Sequence, residues 1–356
     1  MKPLIAFTGG HHNSALEVAK ILRKEGYQII WIGHKFTARG EKSLSAEYQE
    51  VTRAEIKFLE LKTGKFFRKI DIREWLKIVF GFFQSFLYLL KYRPALIFSS
   101  GGYLSVPVVI VGWVLRIPAI THEQTVISGW ANKAISPFVK KILLTHPSSL
   151  KNFPKDKSEV VGLPIRKELL NAKNTKKFNP RLIYITCGKQ GSHLINQAVF
   201  PIIPRLVEKY TVVHQTGSST LTKDLDRARR IKEKLGEKKD RYIFSPYFFG
   251  DDAATYMRSA SIIVSRSGAH IVYELMTLGK KAILIPISWV SHNEQFLNAK
   301  LAKKEIGSFI LAEKDLTPES LYQAIMDLVK APAVKPTINL VSNATDKIIQ
   351  IIRQSI

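Results

Sequence analysis

Short apolar runs alternate with longer amphipathic stretches along most of the chain. The first two apolar runs are residues 4–7 and 28–32, and residues 14–25 between them carry the apolar spacing of a helix. Apolar runs separated by helical stretches are typical of parallel strands joined by crossover helices. The pattern therefore predicts an α/β fold of doubly wound parallel sheets. Further strands are predicted at 95–99, 119–121, 141–144, 181–186, 211–214, 261–264 and 281–286.

A polar and charged stretch at 171–180 interrupts this alternation and ends in Pro180. A second alternation of strands and helices begins directly after it. The full length of 356 residues is also more than one hydrophobic core usually serves. The sequence predicts two domains, residues 1–172 and 178–336, with a last helix at 344–356 returning to the first domain.

Composition adds one unusual feature, a formal net charge of +25 from 54 Lys and Arg against 29 Asp and Glu. Such an excess attracts polyanions, either nucleic acid or an anionic membrane surface. Residues 57–93 hold nine basic and three acidic residues, and within them lies the aromatic run WLKIVFGFFQSFLYLLKY at 75–92. No nucleic-acid reader motif accompanies the charge, so nucleic acid is not the expected partner.

The run at 75–92 is interrupted by Lys77, Gly81 and Gln84, which makes it too broken and slightly too short for a confident membrane span. An amphipathic segment that lies on anionic lipid fits it better. The alternative is a helix buried against the sheet of the first domain with its basic flanks in solvent.

The chain has a single cysteine, Cys187, which excludes an intramolecular disulfide and a cysteine-based metal cluster. This composition fits an intracellular, reducing compartment. The first ten residues have the pattern of a first strand and its turn rather than that of a secretion signal.

Polar or glycine-rich segments follow six of the predicted strands. In doubly wound sheets the ligand binds at the carboxyl ends of the strands, so these segments are the candidate site. They are 8–13, 100–103, 122–125, 187–191, 265–269 and 291–295.

The segment SRSGAHIVYE at 265–274 has the pattern of a turn that opens a helix. The unpaired amides after Ser267 and Gly268, together with the helix dipole, would attract a phosphate. Glu274 lies nearly two turns further on, where a carboxylate could accept hydrogen bonds from sugar hydroxyls. The alternative is an ordinary helix start followed by a solvated glutamate.

Taken together, eight segments resemble the MurG-like family of GT-B glycosyltransferases from bacterial peptidoglycan synthesis. The resemblance implies two Rossmann-like doubly wound domains facing a central cleft, with the lipid acceptor on the first and the UDP-sugar on the second. The segments are GGYLSVP at 101, HEQ at 122, NK at 132, VVGLPIR at 160, GKQG at 188, HQTG at 214, SRSGA at 265 and EQFLNA at 294.

The resemblance implies an inverting transfer of N-acetylglucosamine from UDP-N-acetylglucosamine to the C4 hydroxyl of a lipid-linked muramyl-pentapeptide, in cell wall synthesis. His11 is then the catalytic candidate, as a general base or a stabiliser of developing charge. Its alternative role is to cap the following helix. Tyr103, Glu123 and Thr125 are implied on the acceptor side.

On the nucleotide side the resemblance assigns Arg166 and the turn at 188–191 to the diphosphate, and Glu274 to the ribose. The main chain at Phe249 would contact the uracil. The complete implied UDP-sugar set is Gly9, Gly10, Arg166, Gly188, Lys189, Gln190, Gly191, Phe249, Ser267, Gly268, Ala269, Glu274, Glu294 and Gln295.

The family implies no metal or other cofactor, and Asp251 and Asp252 are adjacent rather than spaced as in a metal-binding Asp-x-Asp motif. It also implies a peripheral location on the cytoplasmic face of the membrane. Three departures leave alternatives open: Thr125 replaces an asparagine, Lys189 a serine and Glu294 a glutamine. The chain could instead use another UDP-sugar or lipid acceptor, or bind a sugar nucleotide at the membrane without catalysis.

Overall fold

The computed structural model describes residues 2–36, 44–64, 72–125, 128–171, 173, 175–187, 191–219, 221–288, 293–332, 334 and 343–356. The chain divides into two compact units. The first unit comprises Met1–Ile165 with Val341–Ile356, and the second comprises Arg166–Leu340.

The first unit is a seven-stranded parallel sheet with strand order β3-β2-β1-β4-β5-β6-β7. Its central strands are continuous apolar runs because helices cover both faces of the sheet. The elements are β1 (Leu4–Thr8), α1 (His12–Lys24), β2 (Gln28–Gly33), α2 (Ala46–Arg53), β3 (Lys57–Glu60), α3 (Ile72–Tyr92), β4 (Leu96–Ser99), α4 (Ser105–Val114), β5 (Ala119–Glu123), α5 (Trp130–Ile135), β6 (Lys141–Leu144) and β7 (Ser158–Val160).

Alternate residues of the central strands belong to two separate hydrophobic cores, one on each face of the sheet. Phe7 packs with Trp31 on one face of the sheet, whereas the neighbouring Ala6 lies in the core on the other face. The C-terminal helix, residues Ala344–Ser355, closes the first of these cores with Ile348 and Ile352.

The second unit repeats the architecture with a six-stranded parallel sheet of order β10-β9-β8-β11-β12-β13. The fold class expected from the sequence, two Rossmann-like α/β domains, is confirmed. The elements are α6 (Lys167–Leu170), β8 (Leu182–Thr186), α7 (His193–Val199), α8 (Ile203–Leu206), β9 (Thr211–Gln215), α9 (Asp224–Glu233), β10 (Tyr242–Ser245), α10 (Gly250–Ser259), β11 (Ile262–Ser265), α11 (Ala269–Leu278), β12 (Ala282–Leu284), α12 (Glu294–Ile306), β13 (Phe309–Ile310) and α13 (Pro318–Lys330), with the C-terminal helix numbered α14.

The units divide at 165/166, whereas the sequence predicts that the first domain extends to residue 172. The physical reason is the packing of α6 on α10. Arg258 Nη1 donates to the carbonyl of Leu169 at 2.7 Å, and the amide of Lys176 donates to Ser259 Oγ at 2.9 Å.

Helix α3 contains the aromatic run and has two contrasting faces. Gly81, Ser85 and Leu89 are buried on one face, and Gln84 beside them donates to the carbonyl of Glu60 at 2.8 Å. The opposite face exposes a row of large apolar side chains whose positions recur every three or four residues. They are Ile72, Trp75, Leu76, Val79, Phe80, Phe83, Phe86, Leu87 and Leu90.

This exposed face covers an arc of about 140° when residues are spaced 100° apart. The sequence allows either a buried helix or one that lies on lipid. The structure buries the side of α3 that carries Gly81, Ser85 and Leu89, so the buried-helix alternative does not describe the nine exposed apolar side chains. Among the helices that the structure describes, none is long and apolar enough to cross a membrane.

Candidate functional site

The glycine turns after β1 and β4 lie in direct contact. Gly9 has φ +124°, and a Cβ atom there would lie 2.5 Å from Ser100 Oγ and 2.6 Å from the carbonyl oxygen of Gly101. The amide of Gly10 donates to that same carbonyl at 2.8 Å. Only glycine fits at position 9, because both its backbone conformation and the available space exclude a side chain.

His11 follows this turn and occupies the N-cap position of α1. Its side chain makes no capping hydrogen bond, so the alternative role as a helix cap is not what the structure shows. The main chain of His11 is fixed instead, because its carbonyl accepts a hydrogen bond of 2.9 Å from Gln124 Nε2. The imidazole of His11 is therefore exposed, while its backbone is held by a side chain that follows β5.

His122 lies in β5 and is fully buried. Burial lowers its pKa to about 4, against the opposing effect of a hydrogen bond to the carbonyl of Gly162, and the charge of His11 lowers it further. His122 is therefore neutral near pH 7. Because its Nε2 donates to Gly162 at 3.0 Å, its Nδ1 carries the lone pair.

Glu123, at the end of β5, organises the loop that follows it. Its carboxylate accepts from the hydroxyl of Thr125 at 2.8 Å, from the amide of Gly129 at 2.9 Å and from Asn132 Nδ2 at 3.0 Å. Both Glu123 and Thr125 are buried, so their side chains face inward. The two acceptor-side candidates thus contact each other, and Glu123 acts on the loop rather than at an exposed surface.

Tyr103, the third acceptor-side candidate, follows the glycine turn after β4. Partial burial and the negative charge of Glu47 raise its pKa to about 12, so its phenol stays protonated. Its ring lies 5.8 Å from that of His34, centroid to centroid. Tyr103 can therefore act as a hydrogen-bond donor at neutral pH.

In the second unit, Ser267 and Gly268 open α11 as the sequence predicted. Gly268 is the N-cap residue, and a Cβ atom there would meet nothing within 4 Å, so the space before the helix is open. Ser267 is buried and donates to the carbonyl of Gln295 at 2.8 Å. The first amides of α11, beginning at Ala269, face this space without intrahelical acceptors.

Arg166 and Glu274 form a bidentate ion pair. Nε of Arg166 lies 2.7 Å from Oε1 of Glu274, and Nη2 lies 2.8 Å from Oε2. Burial alone would lower the pKa of Arg166, but the carboxylate of Glu274 outweighs this and raises it. The structure thus brings together the residue assigned to the diphosphate and the residue assigned to the ribose.

Arg266 joins the loops at the carboxyl edge of the second sheet. It donates to Ser192 Oγ at 2.8 Å, to Glu313 Oε1 at 2.8 Å and to the carbonyl of Ile285 at 3.1 Å. Arg266 lies within the SRSGA segment but has no role among the residues predicted from the sequence, although a permanent charge in a turn of small residues is a usable signal.

Glu313 extends this network to the segment after β12. It accepts from the amide and the hydroxyl of Ser288 at 3.1 and 2.8 Å. Burial works to raise the pKa of Glu313, but the hydrogen bonds from Ser288 and Arg266 outweigh it and hold the pKa below its usual range. Arg266 and Glu313 thus connect the segments that follow β8, β11, β12 and β13.

Part of the glycine turn after β8, namely the implied residues Gly188, Lys189 and Gln190, lies outside the described residues. Gly191 has φ +75°, and a Cβ atom there would lie 2.5 Å from the carbonyl oxygen of Thr216. The turns after β8 and β9 are therefore in close contact. Burial raises the pKa of Cys187 to about 12, which makes its thiol a poor nucleophile.

The remaining nucleotide-side candidates lie at two helix starts. Phe249 is the N-cap of α10, is 44% exposed, and packs its ring 4.2 Å from that of Tyr247. Glu294 and Gln295 open α12, and Gln295 Oε1 accepts from the amide of Ile287 at 3.1 Å. The amide nitrogen of Gln295 remains the group that could donate to a ligand.

Across the described ranges, no group of three or more His, Cys, Asp and Glu side chains is arranged to hold a metal ion.

Comparison with known proteins gives consistent matches over both units. The model of the glycosyltransferase family 28 N-terminal domain matches residues 7–144, and that of the family 28 C-terminal domain matches residues 182–350. The first match lies within the first unit, and the second covers most of the second unit and extends into the C-terminal helix of the first.

Two relatives carry the name UDP-N-acetylglucosamine–N-acetylmuramyl-(pentapeptide) pyrophosphoryl-undecaprenol N-acetylglucosamine transferase. The protein from Clostridium kluyveri is 32% identical over 99% of both chains. The protein from Legionella pneumophila is 32% identical and covers 99% of this chain and 97% of its own. Among solved structures, Acinetobacter baumannii MurG superposes with a TM-score of 0.69 at 24% identity, covering 99% of this chain and 100% of its own.

Proposed function

Since the chain belongs to glycosyltransferase family 28, we propose that it transfers N-acetylglucosamine from UDP-N-acetylglucosamine to undecaprenyl-pyrophosphoryl-N-acetylmuramyl-pentapeptide. The acceptor would be the C4 hydroxyl of the muramyl sugar, and the product would be the lipid-linked disaccharide used in peptidoglycan synthesis. The observation that carries the proposal is 32% identity over 99% of this chain to relatives named for this reaction.

The second unit is proposed to hold UDP-N-acetylglucosamine at the carboxyl edge of its sheet. The open space before Gly268 suits a phosphate, which would accept hydrogen bonds from the first amides of α11. Arg166 uses two of its five N–H groups on Glu274, so the others remain for the diphosphate. Each oxygen of Glu274 likewise keeps a lone pair for a ribose hydroxyl.

Further contacts would fix the two ends of this ligand. The main chain beside Phe249 would contact the uracil, while Gln295 and Glu294 would reach the hydroxyls of the sugar. Arg266 and Glu313 are positioning residues in this scheme, since their hydrogen bonds hold the loops together.

The chemical step would be a direct displacement with inversion at the anomeric carbon. Negative charge develops on the leaving diphosphate, and Arg166 together with the helix amides would stabilise it. His11 would take the proton of the attacking hydroxyl, because its imidazole is exposed at the strand ends of the first unit and its backbone is fixed by Gln124. No step in this scheme needs a metal ion.

The first unit is proposed to rest on the cytoplasmic face of the cell membrane through the exposed face of α3. This face carries nine large apolar side chains. Soluble proteins rarely expose a contiguous apolar surface of this size unless it binds a partner or a membrane. Lys and Arg residues flank it and favour anionic lipid. Such a location would bring the lipid-linked acceptor to the enzyme and link its activity to cell wall growth, cell shape and division.

The proposal is tested by measuring transfer of labelled N-acetylglucosamine to the muramyl-pentapeptide lipid without added metal. Wild-type protein should form the product with inverted anomeric configuration, and His11→Ala should reduce transfer by about a hundredfold or more. His146→Ala, at a half-buried histidine of the same unit that bonds to Ser148, is the control and should keep full activity. If UDP binds but no sugar reaches this acceptor, another sugar or lipid becomes the better hypothesis.

A further inference from the structure

The loop that follows β5 leads into a helix whose first residue is an exposed tryptophan. Trp130 opens α5 and is 72% exposed, more than Trp75 or Trp113 in the same unit. Single exposed apolar residues are common on protein surfaces, so exposure alone indicates no function. The place of Trp130 in the fold, beside the acceptor-side candidates, is what indicates a role.

The main chain on both sides of Trp130 is fixed by the buried carboxylate of Glu123. Its Oε2 accepts from the amide of Gly129, directly before Trp130, at 2.9 Å, and from Asn132 Nδ2, two residues after it, at 3.0 Å. Asn132 Oδ1 in turn accepts from Thr121 Oγ1 at 2.8 Å. Because this backbone is already ordered, a ligand that contacts Trp130 loses little affinity to ordering of the loop.

The start of α5 also packs against the glycine turns that lead to His11. A Cβ atom at Gly101 would lie 2.6 Å from Asn132 Nδ2, so the turn after β4 is in direct contact with α5. The carbonyl of Gly101 accepts from the amide of Gly10 at 2.8 Å, and His11 is the next residue of the chain. A continuous series of contacts along the carboxyl edge of the first sheet therefore connects Trp130 with His11.

The spacing of the strands suits a sugar between these two residues. Only β4 lies between β1 and β5, so the ends of β1 and β5 are about 10 Å apart. A pyranose ring carries its hydroxyls around its rim and presents C–H groups on its faces. Such a face packs well on a flat indole, while the hydroxyls on the rim remain available for hydrogen bonds.

We propose that the indole of Trp130 stacks on the pyranose ring of the muramyl acceptor and is a specificity-determining residue for it. The stacked ring would direct its C4 hydroxyl toward His11, and Glu123 would act as the positioning residue that fixes the loop carrying the indole. This inference rests on the acceptor named in the proposed function. It adds a direct contact to the sugar ring that is separate from the acceptor-side residues implied by the sequence.

The test is calorimetric titration of the full chain with a water-soluble acceptor, a muramyl-pentapeptide diphosphate on a short prenyl chain, in the absence of vesicles. Trp130→Ala should raise Kd for this acceptor about tenfold, and Trp130→Phe, which keeps a smaller flat ring, about threefold. KM for UDP-N-acetylglucosamine should stay the same. The melting temperature should also stay the same, because the side chain is largely in solvent and alanine favours a helix. An unchanged Kd in Trp130→Ala would overturn the proposal.

The matched control is Trp113→Ala, which removes a tryptophan that is 56% exposed in the same unit. Trp113 lies near the end of α4, and this helix starts at the carboxyl edge of the sheet and ends at the amino edge. The control should bind the soluble acceptor as wild type does. An equal loss in both alanine variants would show a general effect of removing an exposed indole and would contradict the proposal.

Two further measurements separate the sugar from other ligands of the indole. With an acceptor that lacks the pentapeptide, Trp130→Ala should still bind about tenfold more weakly than wild type. If the difference disappears, the indole contacts the peptide and the sugar contact is wrong. Binding of Trp130→Ala to vesicles of phosphatidylcholine and phosphatidylglycerol should equal that of wild type. Weaker vesicle binding with an unchanged Kd for the soluble acceptor would make lipid the ligand.

The two proposals fail in different ways, because the titration needs no turnover. If wild-type protein binds the soluble acceptor but transfers no sugar to it, the proposed reaction is wrong, and the Kd values still test the contact with Trp130. If transfer occurs and Trp130→Ala binds the acceptor as wild type does, only the stacking contact is wrong. If wild-type protein does not bind the acceptor, both proposals are wrong.

Discussion

The guanidinium of Arg166 and the carboxylate of Glu274 form two parallel hydrogen bonds of 2.7 and 2.8 Å, although the residues are 108 positions apart in the chain. This fork geometry gives a stronger and more directional contact than a single-point ion pair. Each side chain therefore fixes the orientation of the other. The residue proposed for the diphosphate and the residue proposed for the ribose would act on one ligand as a coupled pair.

The first prediction concerns Glu274→Gln, which keeps the shape of the side chain but removes its charge. We expect KM for UDP-N-acetylglucosamine to rise about tenfold, because both the ribose contact and the orientation of Arg166 are weakened. Glu274→Ala should also lower the melting temperature, because it leaves a half-buried guanidinium without its partner.

Initial-rate kinetics and thermal unfolding measure these two effects. Glu319→Gln, at an exposed carboxylate of the same unit, is the control and should leave KM and melting temperature unaltered. An unchanged KM in Glu274→Gln would contradict the role proposed for this pair.

The second prediction concerns Arg266, which connects Ser192, Glu313 and Ile285 without being assigned a ligand contact. We expect Arg266→Met to reduce kcat/KM by up to about a hundredfold, since displacement of a substrate-binding loop by about 1 Å can have an effect of that size. Arg266→Lys should restore only part of the activity, because an ammonium group cannot form the same fork of hydrogen bonds.

Calorimetric titration with UDP separates positioning from general stability. UDP affinity should fall in Arg266→Met at a temperature where the protein is fully folded, whereas Arg205→Met, at an exposed arginine of the same unit, should bind UDP normally. Normal UDP affinity in Arg266→Met would show that the network does not shape the nucleotide site.

The sequence predicted those elements whose own residues carry the signal. The central strands β1, β4, β8 and β11 are buried on both faces, so each appears as an uninterrupted apolar run. The edge strands β3 and β7 escaped prediction, because an edge strand is partly exposed and its residues, KFLE and SEV, mix charged and apolar types.

Prediction of the candidate site from the sequence has the same limit, since it finds only features that are local in the chain. Ser267 and Gly268 were found because a helix N-terminus is a local feature of the sequence. The contact between Arg266 and Glu313 spans 47 positions, and that between Gln124 and the carbonyl of His11 spans 113, so only the fold brings these groups together. Tertiary contacts at Gly81 and Ser85 determine which face of α3 packs inward, and the periodicity of the helix alone does not show which face that is.

A third prediction follows from the pH dependence of His122. Its pKa is about 4 in the folded protein, mainly because of burial, compared with about 6.5 in an unfolded chain. As the pH falls from about 6.5 toward 4, the unfolded chain takes up a proton that folded His122 does not. The free energy of unfolding should therefore fall over this range by an amount on the order of 3 kcal/mol. The stabilisation that comes from His122 is fully present above pH 6.5.

The comparison of wild type with His122→Gln isolates this effect from the titration of carboxylates. Glutamine can still donate to the carbonyl of Gly162 but does not titrate. The melting temperature of the variant should therefore fall less steeply between pH 6.5 and 4 than that of wild type. Parallel curves for wild type and His122→Gln would mean that His122 is protonated in the folded protein at mildly acidic pH.

The last prediction tests the membrane contact through α3. Leu76 and Phe83 are 66% and 58% exposed at the centre of its apolar face, so serine at both positions removes apolar surface without opening a core. We expect Leu76→Ser/Phe83→Ser to weaken binding to vesicles by about tenfold or more, since the binding strength scales with the apolar area that enters the interface. Affinity for UDP, measured without vesicles, should stay the same.

The control for this variant is Leu221→Ser, which removes an apolar side chain that is 87% exposed but belongs to the second unit. It should bind vesicles as wild type does. If the α3 variant also binds normally, its apolar face does not contact lipid, and a protein partner that covers the same nine side chains becomes the explanation. Crosslinking from a photoreactive residue at position 79, between the two substituted sites, would then identify that partner, whereas labelling of lipid from the same position would support the membrane contact.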